Sequence, residues 1–447
     1  MMRALYSLAM AAAQPLLRRK LRRRGRDEPG YLEGIEERFG IYAAPAAPNA
    51  LWVHAVSLGE TRAAALLVEA LRAREPGLRL LLTHGTATGR AEGARLLQPG
   101  DAQAWLPWDT PAAVERFLEH FRPCAGVLIE TEVWPNLAQA CARRGVPLTL
   151  ANARLSEASL RKARRLAALS QPAYAALAAV WAQTEADAQR LREAGARVSG
   201  VLGNLKFDAR PDPALLAQGR AWRAGRESPV VMFASSREGE EAEFLRVLRT
   251  DRERLRGGQA RRATDLMAPV QWLLVPRHPQ RFDEVASMAA AAGFTVARRS
   301  AWAQESPPAA DIWIGDSLGE MPLYYGLADV ALLGGSFERL GGQNLIEAAA
   351  CGCPVVMGPH TFNFAEAAAA AEGRGAALRV RSLADAVREA RAIAADAPRR
   401  EAMRTGAAAF AEGHRGAADR FAQALLALAC SPAPRAEASP RSGASTA

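Results

Sequence analysis

The fold of this chain is decided by residues 329–360, which read Asp329-Val-Ala-Leu-Leu-Gly-Gly-Ser-Phe-Glu-Arg-Leu-Gly-Gly-Gln-Asn-Leu-Ile-Glu-Ala-Ala-Ala-Cys-Gly-Cys-Pro-Val-Val-Met-Gly-Pro-His360. The short apolar run 330–333 ends at a pair of glycines, as a buried parallel strand does. After a loop with a second glycine pair, Asn344 is placed to cap a helix over 345–350, and a further strand follows at 355–357. This order predicts one βα unit of a parallel sheet.

The glycine loop in this stretch has two interpretations. Glycines let an anionic ligand approach the backbone, and the start of a helix presents unpaired N–H groups and a partial positive charge. Glu347 lies in the first turn, where its carboxylate can accept hydrogen bonds from ribose hydroxyls. Alternatively, the loop is only a tight βα turn, and the helix dipole favours Glu347. The stretch alone leaves both open.

Composition and charge indicate a soluble globular protein with an acidic partner. The chain has 447 residues, 49% hydrophobic and 23% charged, which is enough for two or three domains. The formal net charge of +10 indicates nucleic acid, phosphorylated lipid or an anionic membrane as a partner. Cys351 and Cys353 are too close together and too isolated to form a zinc site, and the six histidines form no metal-spaced cluster. Scattered cysteines favour a reducing, cytosolic compartment.

The N-terminus combines an apolar run with a basic cluster. Residues 4–17 are nearly uncharged, and residues 18–24 contain six arginines and lysines. The run is too short to span a membrane comfortably, and a signal peptide would carry its positive charge before the run. A positive flank belongs on the cytoplasmic side. Residues 1–26 are therefore predicted to form an interfacial anchor on anionic lipid, with an amphipathic helix packed on the protein as the alternative.

Strands and helices alternate in two halves of the chain. The pattern predicts an N-terminal domain over 27–208, a hinge over 209–228, a C-terminal domain over 229–430 and a disordered tail over 431–447. In such parallel sheets, ligands bind beyond the carboxyl ends of the strands. The polar residues at or near these ends in the first half are His54, Glu60, Glu130, Glu132 and Asn152.

The tetrapeptide Ser-Leu-Gly-Glu occurs twice, at 57–60 and 317–320, each time just after a predicted strand. The repeat predicts a shared local geometry. Ser-x-x-Glu is also the pattern of a capping box, in which Ser caps the helix and Glu returns to the backbone. The spacing by itself favours this capping role over a catalytic role for Glu60.

Two common nucleotide-binding motifs are missing from the sequence. No G-x-G-x-x-G follows a strand, and no G-x-x-x-x-G-K-[ST] occurs, which argues against a standard dinucleotide enzyme and a P-loop NTPase. Two doubly wound halves, with a glycine loop and Glu347 in the second, instead predict two Rossmann-like domains facing a cleft that holds a nucleotide sugar. This is the glycosyltransferase B architecture.

The chain resembles the 3-deoxy-D-manno-octulosonic acid (Kdo) transferases of lipid A biosynthesis, glycosyltransferase family 30. The resemblance runs from the N-terminus to about residue 428. Its motifs are Trp52-Val-His-Ala-Val-Ser-Leu-Gly-Glu60, Ile129-Glu-Thr-Glu-Val-Trp-Pro-Asn136, Ala151-Asn-Ala-Arg-Leu-Ser156, Gly203-Asn-Leu-Lys-Phe-Asp208, Val275-Pro-Arg-His-Pro279, Gly315-Asp-Ser-Leu-Gly-Glu320, Gly341-Gly-Gln-Asn-Leu-Ile-Glu347 and Met357-Gly-Pro-His-Thr-Phe-Asn363. Two departures are Gln343, where the family has His, and a small basic insertion at 251–269.

The resemblance implies that CMP-Kdo donates Kdo to the 6'-hydroxyl of lipid IVA with inversion, on the cytoplasmic face of the inner membrane. It makes Glu60 the base, with Glu130 and Lys206 as transition-state stabilisers. It implies no cofactor and no metal, because Arg277 and a helix N-terminus can offset the charge of the leaving CMP. The implied CMP-binding residues are Pro276, Arg277, Leu318, Gly319, Glu320, Asn344, Leu345, Ile346 and Glu347.

Other roles remain open for these residues and for the chain. Arg277 can be a surface salt-bridge partner, Lys206 a solvated side chain, and Glu130 a cap of the following helix. One rival function is another two-domain transferase or an epimerase that uses a UDP-sugar. A second is a non-enzymatic binder of anionic lipid whose arginine clusters are its working surface.

Overall fold

A computed structural model of the chain describes residues 1–43, 48–256, 269–302 and 307–429. Most of the predicted insertion and the whole of the predicted tail at 431–447 lie outside these residues. The chain divides into two compact units. The first contains Met1–Asp208 and the chain from Gly416 onward, and the second contains Ala209–Arg415.

The first unit is built on a parallel sheet of seven strands within the described residues. Its strand order is β3-β2-β1-β4-β5-β6-β7. The strands are β1 (Leu51–Ala55), β2 (Leu80–His84), β3 (Ala102–Trp105), β4 (Ala125–Ile129), β5 (Leu148–Ala153), β6 (Ala179–Ala182) and β7 (Val198–Val201). The helices are α1 (Met2–Ala12), α2 (Gln14–Asp27), α3 (Leu58–Arg74), α4 (Ala87–Ala94), α5 (Pro111–Phe121), α6 (Pro135–Arg144), α7 (Glu157–Arg165), α8 (Ala167–Ala175) and α9 (Glu185–Glu193).

The second unit repeats this plan with another seven-stranded parallel sheet in the described part of the chain. Its order is β10-β11-β9-β8-β12-β13-β14. The strands are β8 (Val230–Ser236), β9 (Gln271–Pro276), β10 (Val296–Arg298), β11 (Ile312–Ile314), β12 (Val330–Leu333), β13 (Val355–Met357) and β14 (Ala377–Arg379). The helices from here to the end of the described chain are α10 (Pro213–Ala224), α11 (Glu240–Arg256), α12 (Phe282–Ala291), α13 (Met321–Leu327), α14 (Leu345–Ala350), α15 (Ala365–Gly373), α16 (Leu383–Ala395), α17 (Ala397–Gly413) and α18 (Ala417–Ala429).

Short 3-10 helices complete the two units. They are Pro29–Tyr31, Ile35–Phe39, Leu205–Asp208, Pro279–Arg281, Arg299–Ala301 and Phe362–Phe364. The elements predicted from residues 329–360 are confirmed residue for residue as β12, α14 and β13. The two doubly wound sheets confirm the predicted α/β class, whereas β10 and β14 were not expected from the sequence.

Apolar residues on both faces of the central strands explain why the middle of each sheet is buried, whereas the edge strands β7 and β10 are partly exposed. In β1, Trp52 faces one core with Leu81 and Phe117, while Leu51 faces the other with Leu67. Burial of a large apolar side chain contributes roughly 1.5–3 kcal/mol. Each sheet is therefore a central layer between two layers of helices.

The last helix corrects the predicted domain boundary, which placed residues up to 430 in the second domain. Helix α18 packs against α3 in the first unit, where Phe421 and Leu425 are buried. The Asp208 carboxylate accepts hydrogen bonds from the N–H groups of Gly416 and Ala418. Apolar burial and this cap hold the returning chain to the first unit.

The predicted hinge at 209–228 is also corrected, because most of it is helix α10, docked within the second unit. Gly219 of α10 lies so close to α13 that an added Cβ would stand 2.1 Å from the carbonyl oxygen of Leu323. Gly326 of α13 approaches the Leu216 carbonyl oxygen in the same way, at 2.6 Å. Two glycines thus let the helix backbones touch, so this stretch is part of the unit and not a free linker.

The N-terminal residues form two helices, of which the first is packed on the protein, as one of the two predicted alternatives requires. Ser7 of α1 donates a hydrogen bond to Asn136 Oδ1 at 3.1 Å, so this helix is attached to the first unit. Leu5, Leu8 and Leu16 are nevertheless 56%, 69% and 69% exposed. Within the described residues, every helix is too short or too polar to cross a membrane. The interfacial anchor remains a prediction.

Candidate functional site

The strand order of the first sheet has one point where it reverses, between the neighbouring strands β1 and β4. In doubly wound sheets the crevice at such a point is where ligands bind. Glu60 lies in the first turn of the helix that follows β1, and Glu130 directly follows β4. The fold therefore brings these two predicted site residues to the same edge of the sheet.

The Glu60 side chain makes the contacts of a helix cap. Ser57 caps α3 by accepting a hydrogen bond from the Glu60 N–H group at 3.4 Å. Glu60 Oε2 in turn accepts from the Val56 N–H group at 2.7 Å, and Oε1 accepts from Ser57 Oγ at 3.2 Å. The predicted capping role is confirmed, although the carboxylate returns to Val56, one residue before the cap.

The same carboxyl group has the acidity of a general base. Burial raises the pKa of Glu60 from 4.5 to about 7, and the negative charges of Glu130 and Glu132 act in the same direction. The hydrogen bond from the Val56 N–H group opposes this shift. A base titrating near neutral pH is well matched to removing a proton from a hydroxyl group. Capping and catalysis are therefore compatible at Glu60.

Glu130 is an ion-pair residue and not a helix cap. Its carboxylate is buried and binds Lys206 Nζ at 2.9 Å and Arg154 Nε at 3.4 Å. Its φ of 72° is unusual for a residue with a side chain, and such strain is concentrated at functional sites. The first N–H groups of the following helix α6, those of Asn136 and Leu137, are bound instead by the Asp109 carboxylate. The ion pair also shows that Lys206 is not simply solvated.

Glu132 and Asn152 complete this edge of the sheet. Glu132 accepts a hydrogen bond from Trp134 Nε1 at 3.0 Å, and burial raises its pKa. Asn152 Oδ1 accepts from the Leu205 N–H group at 3.0 Å, which fixes the segment that carries Lys206.

His54 lies near the end of β1, but its side chain packs against the neighbouring strand β2. It is buried, and its Nδ1 lies 2.8 Å from Thr83 Oγ1. Burial lowers the pKa of His54 to about 3, so the ring is neutral at physiological pH. His54 is thus part of the core and not of the site.

The reversal point of the second sheet lies between β8 and β12, and the predicted CMP-binding residues lie at the end of β9 or in the segments after β9, β11 and β12. Pro276 ends β9, the neighbour of β8, and Arg277 follows it with an exposed side chain. Arg277 Nε donates a hydrogen bond to Gln343 Oε1 at 3.2 Å. Gln343, which departs from the family pattern, therefore contacts a predicted ligand-binding residue.

The second Ser-Leu-Gly-Glu shares with the first a hydrogen bond from the Ser hydroxyl to the Glu carboxylate, but its Ser does not cap a helix, so the expected shared geometry is found only in part. Gly319 has a φ of 83°, and Glu320 itself occupies the cap position of α13, without a capping hydrogen bond. Glu320 Oε1 accepts from Arg299 Nη2 at 2.7 Å, and Oε2 accepts from Ser317 Oγ. Leu318 is 75% exposed. This copy of the motif is a loop pinned by Arg299.

The glycine loop after β12 does not offer all its N–H groups to a ligand. The buried carboxylate of Glu240 accepts from the N–H groups of Gly335 at 2.7 Å and Phe337 at 3.1 Å. Gly334 is required because an added Cβ would lie 2.1 Å from the Ser235 carbonyl oxygen. Nothing in the local sequence indicates this partner, because Glu240 lies 95 residues before Gly335.

The start of α14 keeps the geometry that the sequence predicts. Asn344 Oδ1 caps the helix by accepting from the Ile346 N–H group at 3.2 Å, and Glu347 follows in the first turn. The side chains of Leu345 and Ile346 are buried in the unit. These two residues can therefore contact a ligand only through their backbone.

Metal-binding side chains are not grouped in the part of the chain that the structure describes. No three His, Cys, Asp or Glu side chains there are arranged to hold an ion. Burial raises the pKa of the Cys351 thiol to about 12, and Cys353 is also buried. Thiols protonated to this extent are poor nucleophiles and poor metal ligands.

Comparison with known proteins identifies close relatives. The profile of the 3-Deoxy-D-manno-octulosonic-acid transferase (kdotransferase) family matches residues 33–209. The chain is 49% identical to the 3-deoxy-D-manno-octulosonic acid transferase of Bordetella pertussis, over 95% of this chain and 98% of that protein. It is 32% identical to the enzyme of the same name from Haemophilus influenzae, over 87% and 90% of the two chains.

A solved structure supports the fold. UDP-GlcNAc 2-epimerase from Neisseria meningitidis matches with a TM-score of 0.53 at 13% identity, over 85% of this chain and 99% of that one. At this identity the similarity concerns the fold alone. It agrees with the glycosyltransferase B architecture predicted from the sequence.

Proposed function

The chain belongs to the 3-deoxy-D-manno-octulosonic acid (Kdo) transferase family, and we propose that it transfers Kdo from CMP-Kdo to a hydroxyl group of lipid IVA with inversion at the anomeric carbon. In this reaction the acceptor oxygen attacks the anomeric carbon, the bond from that carbon to the CMP phosphate breaks, and the acceptor proton passes to a base. A single displacement of this kind inverts the configuration.

The observation that carries this proposal is the Glu60 carboxyl group at the reversal point of the first sheet. Its pKa of about 7 lets it take the acceptor proton as the new bond forms. Its hydrogen bonds to Val56 and Ser57 hold the side chain in one orientation. A base that is fixed before the reaction loses no rotamer freedom in the transition state.

The leaving CMP is assigned to the second unit. The exposed Arg277 guanidinium can bind the phosphate, and Glu347 at the start of α14 can bind the ribose hydroxyls. A cation on the phosphate stabilises the charge that develops as the bond breaks. This arrangement needs no metal ion, so transfer is expected to continue in excess EDTA.

The lipid acceptor and the cytoplasmic face of the inner membrane belong to the same proposal. Exposed leucines on α1 and α2 lie beside the basic cluster at 18–24. Apolar side chains next to positive charges favour binding to an anionic membrane surface. An enzyme held there would meet an acylated, phosphorylated acceptor without extracting it from the bilayer, as a step of lipopolysaccharide biosynthesis.

The direct test is transfer by the purified protein in detergent, with CMP-Kdo and lipid IVA. We expect CMP release that depends on the acceptor, and a product heavier than lipid IVA by whole Kdo residues, whose number mass spectrometry counts. Parallel reactions with UDP-sugars address the rival transferase and epimerase functions. Turnover of a UDP-sugar without turnover of CMP-Kdo would contradict the proposal, and so would lipid binding without any CMP release.

A further inference from the structure

Two cationic side chains share one buried carboxylate in the first unit. Glu130 is only 7% exposed, while Lys206 and Arg154, which bind its two oxygens at 2.9 Å and 3.4 Å, are 29% and 46% exposed. The carboxylate thus forms the base of the cluster, and the cations lie on its solvent side. Lys206 has a role implied by the family resemblance, but nothing so far gives one to Arg154.

The chain departs from regular strand geometry to place Arg154 there. Strand β5 pairs with β6 through Leu150 and again through Ala153, and the register shifts between these residues. Asn152, inside this bulge, has a φ of 53°. Bulges of this kind redirect the residues that follow them and are frequent beside active sites. After the bulge, the Arg154 N–H group donates to the Glu130 carbonyl oxygen at 3.2 Å, which brings the arginine to the carboxylate.

The Glu130 carboxylate is paired with more positive charge than it carries itself. Among these three residues, two cations and one carboxylate leave about +1, an excess that the nearby carboxyl groups of Glu60 and Glu132 reduce. Within the described chain, the only ion pair of Arg154 is the one through its Nε. Its two terminal nitrogens are therefore available for a planar anion, which a guanidinium group binds with two parallel hydrogen bonds.

The position of the cluster indicates which anion it meets. Glu130 follows β4 and Glu60 follows β1, and these two strands are paired in parallel, so both residues lie at the same sheet edge. In the proposed reaction, Glu60 takes the proton of the acceptor oxygen, and that oxygen bonds to the anomeric carbon. Kdo is a 2-ulosonic acid, so its carboxylate is bonded directly to the anomeric carbon. The carboxylate must therefore come within a few ångströms of the reacting atoms.

We propose that Arg154 and Lys206 form the binding site for the carboxylate of the transferred sugar, and that Arg154 selects sugar acids over neutral sugars. The assignment rests on the proposed function, in which Glu60 is the base. A phosphate of the acceptor offers similar anionic chemistry and is the competing source of a ligand for the same cations.

The test compares wild type with Arg154→Gln on two donors, CMP-Kdo and an analogue in which a carboxamide replaces the carboxylate. With CMP-Kdo we expect Arg154→Gln to lower kcat/KM by about 10- to 100-fold, the scale of a lost hydrogen bond between charged groups. With the carboxamide donor the two enzymes should differ by less than about 3-fold, because the partner of Arg154 is gone. Arg161→Gln, an exposed arginine paired with Glu157 at 3.7 Å, is the matched control and should behave as wild type.

Two further measurements separate the outcomes. Calorimetry should show weaker binding of CMP-Kdo to Arg154→Gln but unchanged binding of CMP, which lacks the carboxylate. Arg154→Lys keeps a positive charge beside Glu130 and so preserves folding. It should nevertheless lose most of the preference for CMP-Kdo over the carboxamide donor, because Lys cannot form two parallel hydrogen bonds. If Arg154→Gln unfolds, Arg154→Lys carries the test.

The proposal is overturned if the loss in Arg154→Gln is the same for both donors. It is also overturned if the loss disappears with a dephosphorylated acceptor instead, because the cations would then bind the acceptor phosphate. Either result leaves the proposed function intact when wild type transfers Kdo. A wild-type protein that releases no CMP from CMP-Kdo would remove both the proposed function and this assignment.

Discussion

At the scale of single residues, the raised pKa of Glu60 links activity to pH. A carboxyl group that titrates at about 7 is a base only when deprotonated, so kcat/KM should rise with pH through that value and level off above it. Because the pKa is higher in the folded state than its ordinary value of 4.5, the folded protein binds this proton more tightly than the unfolded chain does. The contribution of Glu60 to the free energy of unfolding is therefore present below about pH 4.5 and is lost as the pH rises through about 7.

Glu60→Gln separates the base from the cap. Gln keeps the size of the side chain, and its amide oxygen can still accept the hydrogen bond from the Val56 N–H group. It cannot accept the acceptor proton. We expect a nearly normal melting temperature and CMP-Kdo affinity, with a rate lower by about 100-fold or more and without the rise near pH 7. Steady-state rates from pH 5 to 9 measure this.

Ser57→Ala is the control for the cap. It should lower the free energy of unfolding by about 1 kcal/mol, with a smaller effect on the rate than Glu60→Gln. Wild-type turnover in Glu60→Gln would remove Glu60 as the base and leave Glu130 and Glu132 as the carboxylates to test.

At the scale of elements, local sequence patterns predicted strands and helices well but did not predict the conformation of every loop. The strand, helix and strand at 330–357 were predicted from the sequence because glycines, Asn344 and an apolar run act locally. The two copies of Ser-Leu-Gly-Glu look identical, yet one starts a helix and the other is a loop pinned by Arg299. That difference depends on Arg299, which is not part of the motif. The glycine loop likewise depends on the carboxylate of Glu240, a partner distant in sequence.

The candidate site likewise contains residues that sequence motifs identify and a residue that only contacts between distant parts of the chain identify. The sequence motifs and the resemblance located Glu60, Glu130 and Lys206, and the structure brings the last two into contact. Arg154 was quoted within a motif but received no role. Only the bulge in β5 and the ion pair with Glu130 single it out, and neither follows from local sequence.

The loop after β9 and the start of α14 give a prediction for the donor site. Arg277→Ala and Glu347→Ala should each weaken CMP binding by about 1–3 kcal/mol, the loss expected for a hydrogen bond to a charged group. Calorimetry with CMP measures this. Arg246→Ala, in an exposed ion pair on α11 with Glu243 at 2.6 Å, is the matched control and should bind CMP as wild type does. Unchanged CMP affinity in both site variants would place the nucleotide elsewhere.

At the scale of the whole molecule, the net charge of +10 is partly concentrated next to exposed apolar side chains at the N-terminus. Each leucine that moves from water into the apolar part of a membrane contributes roughly 1.5–3 kcal/mol. If charge alone held the protein on the membrane, high salt would release it. The leucines would retain part of the membrane binding at high salt.

Deleting residues 1–26 is therefore expected to move the protein from the membrane fraction to the soluble fraction while a folded core remains. Fractionation by sedimentation and a thermal melt of the soluble protein measure the two parts of this expectation. The double variant Leu8→Glu with Leu16→Glu is the finer test, because it keeps the Ser7 hydrogen bond to Asn136 and so leaves α1 attached. If both variants sediment like the full chain, residues 1–26 are not the anchor.

The return of α18 to the first unit has a consequence for the order in which the protein is made. A ribosome completes residues 1–208 first, but Phe421 and Leu425, which fill part of their core, are added only some two hundred residues later. The second unit, by contrast, is continuous in sequence from Ala209 to Arg415. During synthesis, the core of the first unit therefore remains incomplete until α18 has been made. The second unit can fold as soon as residue 415 has been added. We therefore expect the second unit to complete its core before the first, in contrast to the usual N-terminal-first order of folding.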